Sequence, residues 1–518
     1  MITGGPAPVL PPTFWQLIED GAARWGDLAI LTDDHGGRIS FTEYRDRCEA
    51  VAAGLAALGV RTGSVVSWML PTTIDTVVVM GALARLGAAQ NPIITMLRER
   101  EVRYITNEAR TEFLLSRSTF RGFDFGAMNA PIAEEVGFEL VIVDELPTGD
   151  PATLPPPPGA EPTRTWLYYT SGSTADPKGV WHSDPSVMAS SNTWVHMMEP
   201  TTADVYPVAF PMAHIGGISM VCCALRGGFH LFLVEAWDPQ QSPLDMAAEG
   251  CTMLGSALPF FLAFLAAQKA HGDEPLFPNL RSVSSGGAPK PPGIHEEIRD
   301  NLGGAGVLGS WGLTEFPVAT GAAPGDPDDM LALTEGRPGP GVDVKVVALD
   351  GHECGELEEG ELRLRGPQTF LGYANPALAT TGVDDEGFVC TGDLGVVHPG
   401  GFVQITGRVK DIIIRNAENI SATEIEEHLF EHPAVHDVAV IGVPDPRTGE
   451  RAVAVVQLAA GHDSLTLSDL GAFCIDRGLA KWKIPEQIEI VDAIPRNGMG
   501  KIEKPALRKR YADSERPS

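Results

Sequence analysis

Basic side chains are scarce in this chain: 38 lysines and arginines face 68 aspartates and glutamates over 518 residues, a formal net charge of -30. A surface this acidic repels nucleic acid and anionic lipid, so neither is an expected partner. Any anionic ligand must instead be met by local donors, which makes a lysine or arginine inside a glycine-rich loop informative. Long apolar runs are missing as well. The longest, near Val77–Ala84 and Leu258–Ala267, fall short of the roughly 18 residues of a membrane span, and none is expected. The seven cysteines include no C-x-x-C pair, and Cys222 and Cys223 are adjacent. An odd, unpatterned set points to a reducing compartment and away from a disulfide framework. The opening "MITGGPAPVLPP" lacks the basic and apolar regions of a secretory leader. The expectation is a soluble cytoplasmic protein of about three domain-sized units, with no internal repeat.

What is present is an alternation of helical and strand patterns. "SFTEYRDRCEAVAAGLAALGV" opens with a capping box, Ser40 and Glu43, and then places Tyr44, Cys48, Val51, Leu55 and Leu58 at helical spacing. "SVVSWML" and "FELVIVDE" read as strands, and "IDTVVVMGALARLGAA" reads as a helix. Such alternation predicts a parallel or mixed sheet covered by helices. The Pro-rich stretch "GDPATLPPPPGAEP" predicts a linker. The α/β pattern continues to about Gly321. From Gly336 short strands and turns predict a small β-rich subdomain. After Gly407 the tail alternates again, with a helix capped by Ser421 and Glu424, a helix from Ser468 and a basic C-terminal helix. The predicted fold class is α/β. A large N-terminal domain, 1–407, combines α/β subdomains with the β-rich one, and a small α+β domain spans 408–518.

The strand "RTWLYYT" runs into "SGSTADPKGV", a loop of hydroxyls, glycine and one lysine. Backbone N–H groups and hydroxyls in such a loop can cradle phosphate oxygens. A plain surface turn is the alternative. A P-loop NTPase is excluded by the residues, because Pro177 precedes Lys178 and Gly179 follows it, so no hydroxyl stands beside the lysine to hold magnesium.

From Tyr169 to Val180 the stretch resembles the phosphate loop of the adenylate-forming superfamily, which includes acyl-CoA synthetases, adenylation domains and luciferases. It departs from the family pattern only at Ala175, where glycine is usual. Further motifs of the family follow along the chain. "PMAHIGGI" carries His214, "SSGGAPK" the Gly287-Ala288-Pro289 turn, and "SWGLTE" Trp311 through Glu315. "VCTGDLG" carries Asp393, "GRVKD" carries Arg408 and Lys410, and "PRNGMGKIEKPALR" carries Lys501. "NAENISATEIEEHL" is similar to a further family turn, with Asn416 and Ala417 in place of two glycines.

The resemblance implies an ATP-dependent acid–thiol ligase that forms an acyl-adenylate and then an acyl-CoA. ATP, magnesium and coenzyme A are the implied cofactors, and a small carboxylic acid is the implied partner. Lys178 with the loop Ser171, Gly172, Ser173 and Thr174 would hold phosphates. Glu315 with Thr170 or Thr174 would hold magnesium through hard oxygen ligands. Gly287, Ala288, Pro289, Trp311, Gly312 and Thr314 would flank the nucleotide, and Asp393 and Arg408 would hold the ribose. His214 would stand beside the acid. Lys501 would insert a cation between the acid and the α-phosphate, and Lys410 would be the pivot of the C-terminal domain. An amino-acid substrate would require a carboxylate near His214, and "PVAFPMAHIGGISM" has none. An apolar acid is expected, of the medium-chain, alicyclic or steroid side-chain kind. Gly216 and Gly217 are expected to leave room for it, and Trp311 to form another wall. With the chain ending at Ser518, free CoA is the expected acceptor. A carrier protein as acceptor, a non-catalytic acyl-nucleotide sensor and a homodimeric assembly are left open at this stage.

Overall fold

In the computed structural model, the described residues are 1–159, 164–170, 177–287, 290–291, 293–378, 382–415, 418–496 and 502–512. The alternation of the first half builds two largely parallel sheets. One has six strands in the order Lys178–His182, Trp166–Thr170, Ala89–Pro92, Val65–Met69, Phe113–Ser116 and Glu139–Ile142; only its first pair is antiparallel. The second has four strands, Val205–Val208, His230–Leu233, Ala29–Asp33 and Arg38–Ser40. The helix Ile74–Leu86 touches a strand of each. Every residue of that helix except Asp75 is buried, as a helix apolar on all sides must be. The predicted capping box forms: Ser40 Oγ accepts from Glu43 N at 3.1 Å and Glu43 Oε2 accepts from Ser40 N at 2.7 Å.

A third sheet joins Met253–Ser256, Ser282–Ser285, Val307–Leu313, Phe316–Gly321 and Arg337–Pro338. The β-rich region is an antiparallel sheet of Asp343–Val347, Gly360–Arg365, Val389–His398 and Phe402–Arg408. Its outer edge is closed by Ile2–Thr3, which pair with Val344 and Asp343. After a single turn, Val409–Asp411, the chain enters a fifth sheet that includes Ile412–Arg415, Val435–Asp445, Gly449–Leu458 and Gln487–Val491. That sheet has its own core, with Ile413, Ile425, Val440, Ala454 and Leu470 buried together. The helix predicted from Ser468 is Leu467–Asp476, capped by Thr466. A cleft of about 360 Å³ opens where the last two sheets meet, with Asp350, Gly360 and Leu394 on one side and Ile412 and Ser421 on the other. Among the described residues no helix is long and apolar enough to cross a membrane.

Candidate functional site

The antiparallel register of Trp166–Thr170 with Lys178–His182 sets Thr170 opposite Lys178. The two residues therefore flank the segment 171–177 at its two ends. Ser171, Gly172, Ser173, Thr174 and Ala175 lie outside the described residues, as do Ala288, Pro289, Asn416, Ala417 and Lys501. Lys178 Nζ sits 5.7 Å from the centre of the Tyr373 ring, within reach of a cation–π attraction. The Tyr373 hydroxyl donates to Glu315 Oε1 at 2.9 Å. One aromatic side chain thus spans a lysine and a carboxylate drawn from two different sheets. Burial, followed by the Glu315 charge, pushes the Tyr373 phenol well above its usual range, so it stays a donor.

Glu315 occupies the turn between Val307–Leu313 and Phe316–Gly321, and that turn is pinned from below. His182 is fully buried. Its Nε2 donates to the Thr314 carbonyl at 2.7 Å, and its Nδ1 faces Ser186 Oγ at 2.9 Å. A carbonyl only accepts, so the proton belongs on Nε2. Burial lowers the imidazole to about 4, which keeps it neutral. Gly312 is fixed by space: a Cβ there would lie 2.4 Å from Val318 N. The strand carries a bulge between Trp311 and Leu313.

Asp393 sits at the far side of this turn and is 4% exposed. Its Oδ2 accepts from Trp311 Nε1 at 2.9 Å, and its Oδ1 pairs with Arg408 Nε at 2.8 Å. Asp393 and Arg408 are directly opposed in neighbouring strands. A carboxylate offers about four lone-pair sites. One donor on each oxygen leaves a second site on each, suited to two adjacent hydroxyls. Gly287, two residues after the strand Ser282–Ser285, has φ +79°, a conformation that favours glycine.

His214 is the N-cap of helix Ile215–Gly227, and its Nδ1 accepts from Gly216 N at 3.1 Å. Beside it is a cavity of about 30 Å³ whose walls include Ile94, Leu97, Ile105, Tyr169, Ile215 and Thr314. Among the described residues, none that lines it is an aspartate, glutamate, lysine or arginine. Gly216 and Gly217 do not line it, contrary to the sequence expectation. A Cβ on Gly217 would fall 2.2 Å from the Met212 carbonyl, and one on Gly216 would meet His214 Nδ1 and Phe210. These glycines let the chain fold back tightly at the helix start. Trp311, expected to form another wall, does not line this cavity, and its indole donates to Asp393.

At the turn Val409–Asp411, the Lys410 carbonyl accepts from Arg508 Nη2 at 3.3 Å, and Asp411 Oδ1 pairs with the same nitrogen at 2.6 Å. Burial, then the charges of Arg408 and Arg508, lower the Lys410 amine. Arg508 belongs to the helix Lys504–Tyr511, which begins three residues after Lys501. An isolated bridge joins Arg496 to Ile502, which lie on either side of Lys501 in the sequence. Sequence reasoning missed His182, Tyr373 and Arg508. Each acts through a contact spanning 58 to 132 residues along the chain or close to that range, and no local spacing signals such a contact.

Residues 18–374 match the family described as AMP-binding enzyme, and residues 424–501 match the AMP-binding enzyme C-terminal domain. The chain is 29% identical over 513 residues to a medium-chain fatty-acid–CoA ligase of Escherichia coli (strain K12), covering 96% of this chain and 89% of that protein. It is 30% identical over 520 residues to a salicyl-AMP ligase / salicyl-S-ArCP synthetase of Mycobacterium tuberculosis (strain ATCC 25618 / H37Rv), covering 96% and 90%. The fold superposes on the o-succinylbenzoate CoA synthetase of Bacillus subtilis in complex with the acyl-adenylate intermediate OSB-AMP. That match has a TM-score of 0.82 at 26% identity and covers 98% of this chain and 99% of that one.

Proposed function

That the chain belongs to the AMP-binding enzyme family of acid–thiol ligases is the premise from which we propose its reaction, a two-step ligation of an apolar carboxylic acid to coenzyme A. In the first step the acid's carboxylate attacks the α-phosphorus of ATP, and pyrophosphate leaves. In the second, the CoA sulfur attacks the acyl carbon, AMP leaves and the thiol proton passes to solvent. Both steps depend mainly on positioning and charge stabilisation.

The observation that carries this reading is the buried Asp393 carboxylate, with one oxygen site taken by Trp311, one by Arg408 and two left over. It suits a ribose diol. Lys178 and the loop 171–174 would bind the β- and γ-phosphates, and Gly287, Ala288, Pro289, Gly312 and Thr314 would border adenine. The carboxylate of Glu315, accepting from a neutral phenol, and the Thr170 hydroxyl are hard oxygen donors that fit magnesium. The ion would offset phosphate charge. His214 would orient the acid. Lys501 would neutralise the meeting of carboxylate and α-phosphate, and then withdraw as the domain 408–518 turns on Lys410 against 1–407.

The uncharged walls beside His214 support an apolar acyl group. Medium-chain, alicyclic and steroid side-chain acids are the class we propose. At about 30 Å³ the cavity admits only small groups until side chains such as Leu97 move aside. Pyrophosphate release from acetate, hexanoate and cyclohexanecarboxylate, with and without CoA, tests the reading. We expect acid-dependent release, with turnover only when CoA is present. Release that stalls after one equivalent even with CoA assigns the acceptor to a carrier protein. No release with any acid leaves a nucleotide-binding sensor.

A further inference from the structure

The turn between Asp343–Val347 and Gly360–Arg365 reads "ALDGHECGELEE" and gathers three chemically different donors that the ligase reaction does not use. Ligand atoms of His352, Cys354 and Glu358 all lie within 4.8 Å of one another. We propose that these three residues bind a borderline divalent cation of the zinc class.

Four features of the turn carry the proposal. First, the imidazole is oriented. His352 Nδ1 lies 2.6 Å from Asp350 Oδ1, leaving Nε2 directed to Glu358 Oε1 at 2.7 Å. A carboxylate on the outer nitrogen is the usual way a ligating histidine is held. Second, the glutamate is oriented, since its other oxygen accepts from Gly355 N at 3.0 Å. Third, the sulfur has a fixed floor. Cys354 is 9% exposed, and its backbone N donates to Val346 O at 2.9 Å. The His352 and Glu358 side chains are half exposed. Fourth, tetrahedral bonds of about 2.0–2.3 Å require donor separations of about 3.3–3.8 Å. The most distant pair, within 4.8 Å, closes by about an ångström, while His352 Nε2 and Glu358 Oε1, now 2.7 Å apart, open by about half an ångström or more as the ion enters between them.

A nitrogen, a thiolate sulfur and a carboxylate together favour zinc over magnesium or calcium, which take oxygens alone. Water would fill the fourth position. In the metal-free turn a proton shared by His352 and Glu358 stands where the ion would go. Binding releases that proton and the thiol proton to solvent. Asp350, which orients the imidazole, also walls the cleft between the last two sheets.

The test uses the full chain, stripped with a chelator and titrated with Co²⁺ followed by Zn²⁺. We expect about one Co²⁺ per chain, a thiolate-to-cobalt charge-transfer band in the near ultraviolet, and loss of that band as Zn²⁺ displaces the probe. Cys354→Ser should abolish the band, and Glu358→Gln should weaken Co²⁺ binding about tenfold or more while keeping the band. Glu358 is half exposed, so the second variant reads the site even if the first fails to fold. Absence of the band in the parent chain overturns the proposal and leaves His352 as a surface ion pair. A band that survives Cys354→Ser, or affinity unchanged in Glu358→Gln, overturns it equally.

Discussion

Asp393 is a carboxylate held in place by two donors, and its worth should show in nucleotide affinity. Asp393→Asn keeps the shape but removes the charge and turns one acceptor into a donor facing Arg408 or Trp311. A hydrogen bond to a charged group is worth about 1.5–3 kcal/mol. The KM for ATP should therefore rise roughly 10- to 100-fold, with a smaller fall in kcat. Steady-state kinetics across ATP concentrations check this, and an unchanged KM would remove the ribose from Asp393. Lys501→Ala should separate the half-reactions. Loss of one preorganised charge contact costs on the order of a hundredfold or more in rate. Acyl-adenylate formation should collapse while thioester formation from supplied acyl-AMP continues; equal losses would argue against a lysine devoted to the first step. The sequence singles out both residues by short motifs with their own spacing; the structure seats Asp393 between Trp311 and Arg408, and Lys501 lies outside the described residues. The glycines beside His214 were misread for the opposite reason. A glycine gives no sign of whether its missing Cβ makes room for a ligand or for backbone, and only the Met212 carbonyl at 2.2 Å decides it for Gly217.

Among the elements, the single turn Val409–Asp411 is the shortest piece with the most consequence. It links the strand that ends in Arg408 to the strand that starts at Ile412, and Arg508 grips both its carbonyl and its carboxylate. Lys410→Pro would fix φ near -65° and remove a backbone donor. Rotation about that residue would then be blocked. Isotope exchange between pyrophosphate and ATP should persist, while CoA thioester output falls at least tenfold. Wild-type rates in both assays would place the pivot elsewhere. Helices and strands of this size were readable from period and caps, as at Ser40 and Ser421. Which sheet each strand joins was not readable. Ala29–Asp33 pairs with His230–Leu233, and nothing local to either segment announces a partner two hundred residues away.

For the whole molecule, His182 ties two sheets together, and its burial makes the tie sensitive to acid. Its folded value is lowered from 6.5 to about 4. Below 6.5 the unfolded chain takes up a proton that the folded chain refuses, so stability falls as pH drops through that window and levels off below about 4. At about 1.36 kcal/mol per unit over this interval, the loss approaches about 3 kcal/mol. Denaturation of the parent chain and of His182→Gln between pH 7 and pH 4 measures it. The variant should start less stable and show a shallower decline, and parallel curves would acquit the histidine. The pairing of Ile2–Thr3 with Val344 and Asp343 has a consequence for biosynthesis. A ribosome adding about 5–20 residues per second releases the first strand roughly 20–70 s before its neighbour exists. Throughout that interval the strand Ile2–Thr3 waits without its mate. The β-rich sheet is completed on its outer edge by a strand made long before the rest of it.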